Sequence, residues 1–466
     1  MHEQIKKAGL YVLFTALLVG TLWRGGYFPS QKWTLALSLL AAGAVEAAAD
    51  IALGQARALR SLAFWLLAAF TVFAVATLAW SAVPADTRRE SMLMAGYLAA
   101  FFVARSQVAR GGRQALVSIA SWLVYAATFV SGWGLFTFLW RLEPYATMLD
   151  NVLRAGSTFE YSNALSCFAL MALPVTVALQ RRSEAWLRPL LAAAICLQSL
   201  AVLISFARFG LVALLALFIF FVITGWRSGQ AVSTALAMLA SIPVAVIATI
   251  TSESRHPAAG LFAALAVLAA VGVAPRYLES PRLQRLQKPA AGITAAAGAA
   301  AAAVLAGASS RMREVIATRF SDGFNWSRLM PHRLDTWQGT VDSFRVRPIT
   351  GSGLGSFPFV YTSHAIAVYT KYAHNLILQM AVDTGITGTA LLVLFLAYVA
   401  ALSLWRVFRD ARTLVGAFAA ASLIFITYNM FDWEWYVPAL TAWFVAGAAC
   451  LEKSPPAVPK EKLPGQ

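Results

Sequence analysis

The sequence predicts an all-α, polytopic membrane protein, and both its composition and its hydrophobic pattern support this fold class. Hydrophobic residues make up 59% of the 466 residues and charged residues only 12%, whereas about a quarter of a soluble domain is charged. Apolar runs of about 17–25 residues fill most of the chain, and each is long enough to cross a bilayer as a helix. Helices are expected because lipid offers backbone N–H and C=O groups no other partner.

The apolar runs predict about fourteen transmembrane helices. They lie at approximately 8–23, 33–51, 61–83, 91–104, 115–140, 162–179, 186–204, 210–226, 231–250, 257–274, 290–307, 386–404, 413–430 and 435–451. A long polar interruption precedes the last three. One integrated domain is expected, with a helix bundle over 1–307, an extracytoplasmic loop containing amphipathic helices over about 308–384, returning helices over 385–451 and a cytoplasmic tail over 452–466.

Lysine and arginine are distributed unevenly between alternate loops. If residue 1 is cytoplasmic, the short cytoplasmic loops hold 21 of the 37 basic residues, the opposite short loops eight, and the long loop the other eight. Because basic residues favour the cytoplasmic side in short loops, both termini are expected inside the plasma (inner) membrane and the long loop outside. The net charge of +16 arises from this pattern and suits anionic membrane lipids. No nucleic-acid partner is expected.

The long loop predicts a helix followed by a turn. A helix beginning at Arg333 would carry apolar residues at three- and four-residue spacings on one face, which is expected to lie on the bundle or at the lipid interface. These residues are Leu334, Trp337, Val341 and Phe344. The helix should stop near Pro348, and Gly351–Gly355 is predicted to be a flexible turn. A phosphate-binding loop is less favoured, because no strand precedes it and no Lys-Ser/Thr pair follows.

Five sequence motifs identify a family resemblance. They are Arg333-x3-Trp337, Pro348-x2-Gly351-x-Gly353-x-Gly355-x-Phe357, Ala373-His374-Asn375 with Gly385-x2-Gly388, Gly156-Ser-Thr-Phe-Glu-Tyr-Ser-Asn163-Ala-Leu, and Ser205-Phe-Ala-Arg208-x-Gly210. Together they resemble the O-antigen ligase and O-antigen polymerase superfamily, over about residues 150–430. The resemblance implies a membrane-embedded glycosyltransferase with the fold often called GT-C. Such an enzyme moves a glycan from undecaprenyl diphosphate to an acceptor hydroxyl outside the cytoplasm.

The same resemblance implies the partners and the chemistry. The donor would be an undecaprenyl-diphosphate-linked glycan, and the acceptor a glycolipid, a glycan or a protein hydroxyl. Such enzymes are thought to work without a metal, and no cofactor is expected, since the outer loops show no Asp-x-Asp and no cluster of His and carboxylate ligands. A single displacement would invert the anomeric configuration.

Arg208 and Arg333 are the predicted diphosphate clamps, by their match to the family's two functional arginines. A guanidinium binds phosphate bidentately and stays charged, so it can stabilise a leaving diphosphate without Mg²⁺. The alternatives are that Arg208 only snorkels to the interface and that Arg333 belongs to a solvated basic face.

His374 is the predicted general base, because it lies where the loop returns to the membrane and histidine exchanges protons near neutral pH. It could instead hydrogen-bond the diphosphate, or be a plain interfacial histidine. Glu160, Asn163 and Asn375 are predicted to bind substrate, although Glu160 could equally pair with an arginine or cap the next helix. Asp432 is expected only to edge the outer cavity.

Other functions are less favoured. A lipid-linked glycan flippase would place charge along a mid-membrane cavity, and a secondary transporter would show broken helices in matching halves. Here nearly all charge lies at helix ends, and no such repeat is visible. Within the enzyme class, a ligase and a polymerase differ only in their acceptor, and the residues named above serve both reactions.

Overall fold

The computed structural model describes residues 2–55, 57–149, 152–225, 230–278, 333–365 and 369–452. Helices dominate this part of the chain, which confirms the all-α fold class. They are α1 (His2–Leu22), α2 (Pro29–Ala52), α3 (Leu62–Ala76), α4 (Pro84–Leu139), α5 (Ser162–Gln180), α6 (Arg188–Ser205), α7 (Arg208–Gly225), α8 (Gln230–Glu253), α9 (Pro257–Leu278), α10 (Arg333–Phe344), α11 (Phe357–Tyr361), α12 (Leu376–Asp410), α13 (Leu414–Tyr428) and α14 (Pro438–Ala448). An antiparallel hairpin of β1 (Ala146–Leu149) and β2 (Val152–Ala155), which the sequence did not predict, precedes α5.

Seven of the described helices are long and apolar enough to cross a membrane, and five shorter apolar helices accompany them. The chain is therefore a polytopic membrane protein. Each predicted run within the described residues falls on a helix, and the runs at 91–104 and 115–140 share α4, which breaks at Gly112. The run at 290–307 lies outside the described residues, so the number of fourteen spans stays a prediction.

Contacts between charged residues define two ends of the bundle. At one end Arg24 pairs with Glu160 at 2.6 Å, and Lys371 of the polar loop donates to the Tyr27 hydroxyl at 3.1 Å. We call this the loop end. At the far end, Arg110 of α4 pairs with Glu46 of α2. Each of these contacts joins residues that the sequence places on one side of the membrane.

Helix α10 confirms the helix predicted after Arg333, but only part of its apolar face contacts the rest of the protein. Phe344 packs on the buried Phe357 cluster, and Trp337 donates to the Ala373 carbonyl at 2.9 Å. Leu334 is 54% exposed and Val341 40% exposed. The buried face consists of small residues, Thr336, Gly339, Thr340 and Ser343. These small side chains let α10 approach α11 and α12 closely. The predicted face is therefore divided between residues that contact the protein and residues that are exposed, and placement of the exposed pair at the lipid interface stays a prediction.

The glycine-rich segment is a buried turn that holds one of the protein's own carboxylates. The backbone N–H groups of Gly355 and Phe357 donate to the Asp383 side chain of α12 at 3.0 and 2.7 Å. Gly353 and Gly355 have φ of 106° and 82°, a region that glycine adopts without strain. The predicted turn is confirmed. Its N–H groups already serve a carboxylate, which disfavours the phosphate-binding alternative.

Helix α12 starts inside the segment predicted as loop. It begins at Leu376 and breaks at Gly385, where φ is 62° and ψ is −173°. The predicted boundary at 384/385 thus coincides with this break, and the residues before it form the helical return of the loop.

Candidate active site

Asp432 is the centre of a polar site at the loop end. It lies in the connection between α13 and α14 and is 4% exposed. Its carboxylate contacts His374 Nδ1 at 2.8 Å, accepts from the Tyr161 hydroxyl at 2.9 and 3.0 Å, and accepts from the Asn163 amide. A buried carboxylate surrounded by donors is held in one orientation. The segments before α5, before α12 and after α13 therefore meet at this residue.

The electrostatic surroundings keep Asp432 ionised. Burial alone would raise the pKa of this carboxyl, but the hydrogen bond and charge of His374, with the charge of Arg333 and the hydrogen bond from Asn163, outweigh burial. The pKa of Asp432 therefore lies below its ordinary value. A negative charge is present beside the imidazole at neutral pH.

His374 is held in an unusual backbone conformation immediately before α12. Its φ is 53°, in the left-handed region that costs a non-glycine residue on the order of 1–2 kcal/mol. Its side chain is 28% exposed, while that of Asp432 is 5% exposed. Since a carboxylate can only accept, the Nδ1 atom of His374 must carry the proton in this contact. The Nε2 atom is then free to accept a proton.

Arg333 is anchored beside the same carboxylate at the start of α10. Its Nη1 atom donates to the Phe431 carbonyl, and its Nη2 atom lies 4.0 Å from Asp432 Oδ2. The side chain remains 26% exposed. The structure thus joins Arg333 and His374, two of the predicted site residues, through the loop that carries Asp432.

Asn163 links Asp432 to the unpredicted hairpin. While its Nδ2 atom donates to Asp432, its Oδ1 atom accepts from Arg154 Nη2 at 2.9 Å. The Nε atom of Arg154 donates in turn to the Ser205 carbonyl at 2.8 Å. The hairpin therefore connects the site to the end of α6, directly before Arg208.

Arg208 begins α7 at the loop end, as the sequence predicted for an outer helix end. Its neighbour Phe209 packs against Phe431, with ring centroids 5.7 Å apart. A Cβ atom on Gly210 would overlap the Ser166 hydroxyl, so glycine permits close packing of α7 on α5 here. The start of α7, which carries Arg208, is thereby placed near the chain segment whose carbonyl binds Arg333.

Glu160 and Asn375 have structural partners. Glu160 pairs with Arg24 at 2.6 Å, which confirms the pairing with an arginine; α5 begins two residues later, and Glu160 itself is left-handed. Asn375 caps α12 by accepting from Leu378 N–H at 3.0 Å. Substrate binding by either residue stays a prediction.

A stack of aromatic rings lies beside Asp432. Trp433 stacks on Tyr161 with ring centroids 4.3 Å apart and on Tyr372 with centroids 4.5 Å apart. Lys371 lies 4.7 Å from the centroid of Tyr27, which packs against Trp433 at 5.7 Å. These stacked rings form one wall of the site, in which the Tyr161 hydroxyl donates to Asp432 and the Tyr372 hydroxyl to that of Tyr27.

The sequence did not predict the central role of Asp432 or the contributions of Tyr161 and Arg154. The available signal was an acidic residue directly before the last apolar run, within Asp-Trp-Glu-Trp-Tyr. Its aromatic neighbours favoured assignment to an interfacial belt, and its distance from His374 in the chain concealed the contact. In the described part of the chain, no group of three His, Cys, Asp or Glu side chains is placed to hold a metal ion.

Comparison with known proteins gives one family. No curated protein matches the chain. The family model described as O-Antigen ligase matches residues 241–393, a segment that includes Arg333, His374 and Asn375 and leaves Arg208, Asn163 and Asp432 outside. This match, over about a third of the chain, supports the resemblance to the O-antigen ligase and polymerase superfamily and an enzyme of the glycosyltransferase type in general.

Proposed function

We propose that the protein transfers a glycan from undecaprenyl diphosphate to an acceptor hydroxyl at the extracytoplasmic face of the plasma membrane, in the manner of an O-antigen ligase. The observation that carries this proposal is the contact of His374 Nδ1 with the buried Asp432 carboxylate, at 2.8 Å, beside Arg333 at the membrane edge. A base and a fixed cation then lie together, as transfer from a diphosphate requires.

His374 acts as the general base in this proposal. Its Nδ1–H donates to Asp432, which fixes the tautomer and leaves Nε2 as the acceptor for the proton of the attacking hydroxyl. The oxygen of that hydroxyl forms a bond with the anomeric carbon of the sugar. The carboxylate stabilises the imidazolium that results, as in other histidine–carboxylate pairs. The contact with Asp432 favours the role of His374 as a general base. The alternative that the sequence left open is that His374 hydrogen-bonds the diphosphate.

Arg208 and Arg333 receive the leaving group. The bond between the anomeric carbon and the diphosphate oxygen breaks, and its electron pair leaves with undecaprenyl diphosphate. Two guanidinium groups can stabilise the charge that develops on those oxygens, so the reaction is proposed to be metal-independent. Attack and departure occur in one displacement, which inverts the anomeric configuration.

The surrounding residues define the sugar-binding side. Glu160, Asn163 and Asn375 are proposed to contact the glycan, beside the wall of aromatic rings around Trp433. Of these residues Asn163 is the best supported, because its side-chain amide already donates a hydrogen bond to Asp432. For Glu160 to contact the glycan, the glycan must approach the ion pair between Glu160 and Arg24.

The orientation of the site rests on charge. The short loops at the far end carry 21 basic residues against eight at the loop end, which favours cytoplasmic termini and an extracytoplasmic site. The Arg24–Glu160 and Arg110–Glu46 pairs lie at opposite ends of the bundle. In the sequence nearly all charge falls at the predicted helix ends, which favours a transferase over a flippase or transporter.

A defined transfer assay tests the proposal. Purified protein is given a synthetic undecaprenyl-diphosphate glycan with either a glycolipid acceptor or a second lipid-linked glycan, in buffer containing EDTA or Mg²⁺. We expect transfer to the glycolipid and equal rates in EDTA. Elongation on the carrier would identify the polymerase alternative. Absence of transfer to every acceptor, or strict Mg²⁺ dependence, would contradict the proposed reaction or its metal independence.

A further inference from the structure

The far end of the bundle contains a half-buried arginine that the proposed reaction does not use. Arg181 follows α5 directly, and its backbone N–H continues the helix by donating to Val177 O at 3.2 Å. Its Nε and Nη2 atoms are inaccessible to solvent and have no hydrogen-bond partner among the described residues. A buried guanidinium without an acceptor is unfavourable. Such a group is stabilised by an anion.

A second arginine lies close to Arg181. Burial lowers the pKa of Arg181, and the positive charge of Arg412 lowers it further. Arg412 lies between α12 and α13, and its Nε and Nη2 atoms donate to the Thr224 carbonyl near the end of α7 at 3.0 and 2.6 Å. Asp410 does not neutralise this pair, because it accepts from Arg406 at 2.8 Å. Two like charges are thus held near one another.

Arg181, Thr224 and Arg412 lie at the ends of three helices that meet. Helix α5 packs against both α7 and α13. Arg181 follows α5, Thr224 lies in the last turn of α7, and Arg412 precedes α13. The two guanidinium groups therefore lie where these helices meet the far membrane surface.

An apolar groove runs between α7 and α13 from this end. It has a volume of about 350 Å³, and its wall includes Phe220 and Val212 of α7, Ile424 of α13 and Val407 of α12. Val212 is 66% exposed, so the groove opens toward lipid. Its lining fits an acyl chain, while the arginines fit a phosphate.

We propose that Arg181 and Arg412 bind the phosphate of an anionic phospholipid at the far end, with an acyl chain of the same lipid in the α7–α13 groove. Anionic lipid is favoured over zwitterionic lipid because only the former brings net negative charge to two arginines that form no ion pair with a described residue. This site lies at the opposite membrane surface from Asp432. It is independent of the proposed glycosyl transfer.

The test compares lipid binding by the full chain and three variants. Detergent-purified protein is titrated with phosphatidylglycerol or phosphatidylcholine, and bound lipids are counted by native mass spectrometry. Arg181→Gln removes the buried charge without removing a hydrogen bond within the protein, and Arg412→Gln removes the second charge. Arg60→Gln is the matched control, since Arg60 is an exposed far-end arginine. Size-exclusion chromatography confirms that each variant is folded.

We expect wild-type protein and Arg60→Gln to retain one phosphatidylglycerol more strongly than phosphatidylcholine. Retention should fall about fivefold in Arg181→Gln and in Arg412→Gln, the effect expected for one cation at an anionic membrane surface. Equal retention by Arg181→Gln and wild type would overturn the proposal. Displacement of the lipid by millimolar inorganic phosphate would instead identify a site for a free anion and overturn the lipid assignment.

Discussion

Asp432 and Glu434 lie two residues apart in the connection between α13 and α14, and both are almost fully buried. The Asp432 carboxylate contacts His374, Tyr161 and Asn163, whereas neither carboxyl oxygen of Glu434 has a partner in another described residue. Burial raises the pKa of Glu434 well above its ordinary value, and the charge of Asp432 raises it further. The pKa of Asp432 is lowered despite its burial. The hydrogen-bond donors around each carboxyl group, and not its degree of burial, therefore determine which one is ionised.

The largest expected effect is on glycosyl transfer, and it should distinguish substitution of Asp432 from substitution of Glu434. Asp432→Asn removes the negative charge that orients His374, so glycosyl transfer should fall about 10²–10⁴-fold, the range for losing a positioned proton acceptor. Glu434→Gln keeps the shape of a carboxyl that is already neutral and should retain activity within about threefold. Initial rates in the defined donor assay provide the measurement. Similar losses in both variants would show that burial, and not the contact with His374, explains the effect.

The second prediction concerns the residues around Asp432. His374→Ala, Arg208→Ala and Arg333→Ala should each lower transfer at least about 10²-fold while leaving expression intact, because each removes a base or a cation needed in the transition state. Arg333→Lys should recover only part of the rate, since an ammonium cannot bind phosphate bidentately. Arg345→Ala is the matched control, as Arg345 pairs with Asp342 on the exposed side of α10. Full activity of Arg208→Ala and His374→Ala would rule out the assigned roles.

The third prediction uses the opposite pKa shifts as a stability measurement. A carboxyl whose folded pKa is raised binds protons more tightly in the folded state, so stability falls as pH rises from the unfolded value of 4.5 through the folded value. Glu434→Gln should therefore lose less stability than wild type as the pH rises above about 4.5. Asp432 acts in the other direction, since its lowered pKa gives a stabilisation that is lost only below its unfolded value of 3.8.

Melting temperatures of the two proteins across this pH range, in one detergent, measure the effect. Parallel curves for wild type and Glu434→Gln would mean that Glu434 is ionised in the folded protein. Asp432 and Glu434 would then both be ionised, and the proposed difference between them would be wrong.

Sequence and structure agree where one physical rule dominates. The apolar runs predicted the helices because length and hydropathy together determine a spanning segment, and the site residues His374 and Arg333 were found from their motifs. The sequence did not predict that Asp432 would join them. Contacts between residues 163, 374 and 432 depend on how α5, α12 and α13 pack, which periodicity within each helix does not encode. The burial of the small-residue face of α10 was not predicted for the same reason, because burial of Gly339 follows from close backbone approach and not from hydrophobicity.

The smallest expected effect tests whether Glu160 binds substrate or only pairs with Arg24. Arg24 is 42% exposed and Glu160 16%, and a partly exposed ion pair contributes about 0–1 kcal/mol to stability. Glu160→Gln and Arg24→Ala should therefore both lower the melting temperature slightly and by similar amounts. If Glu160 contacts the glycan, its substitution should also raise the KM for the donor several-fold without changing kcat, whereas Arg24→Ala should not. Equal KM values in the two variants would leave Glu160 with a structural role, and Asn163 as the polar contact closest to Asp432.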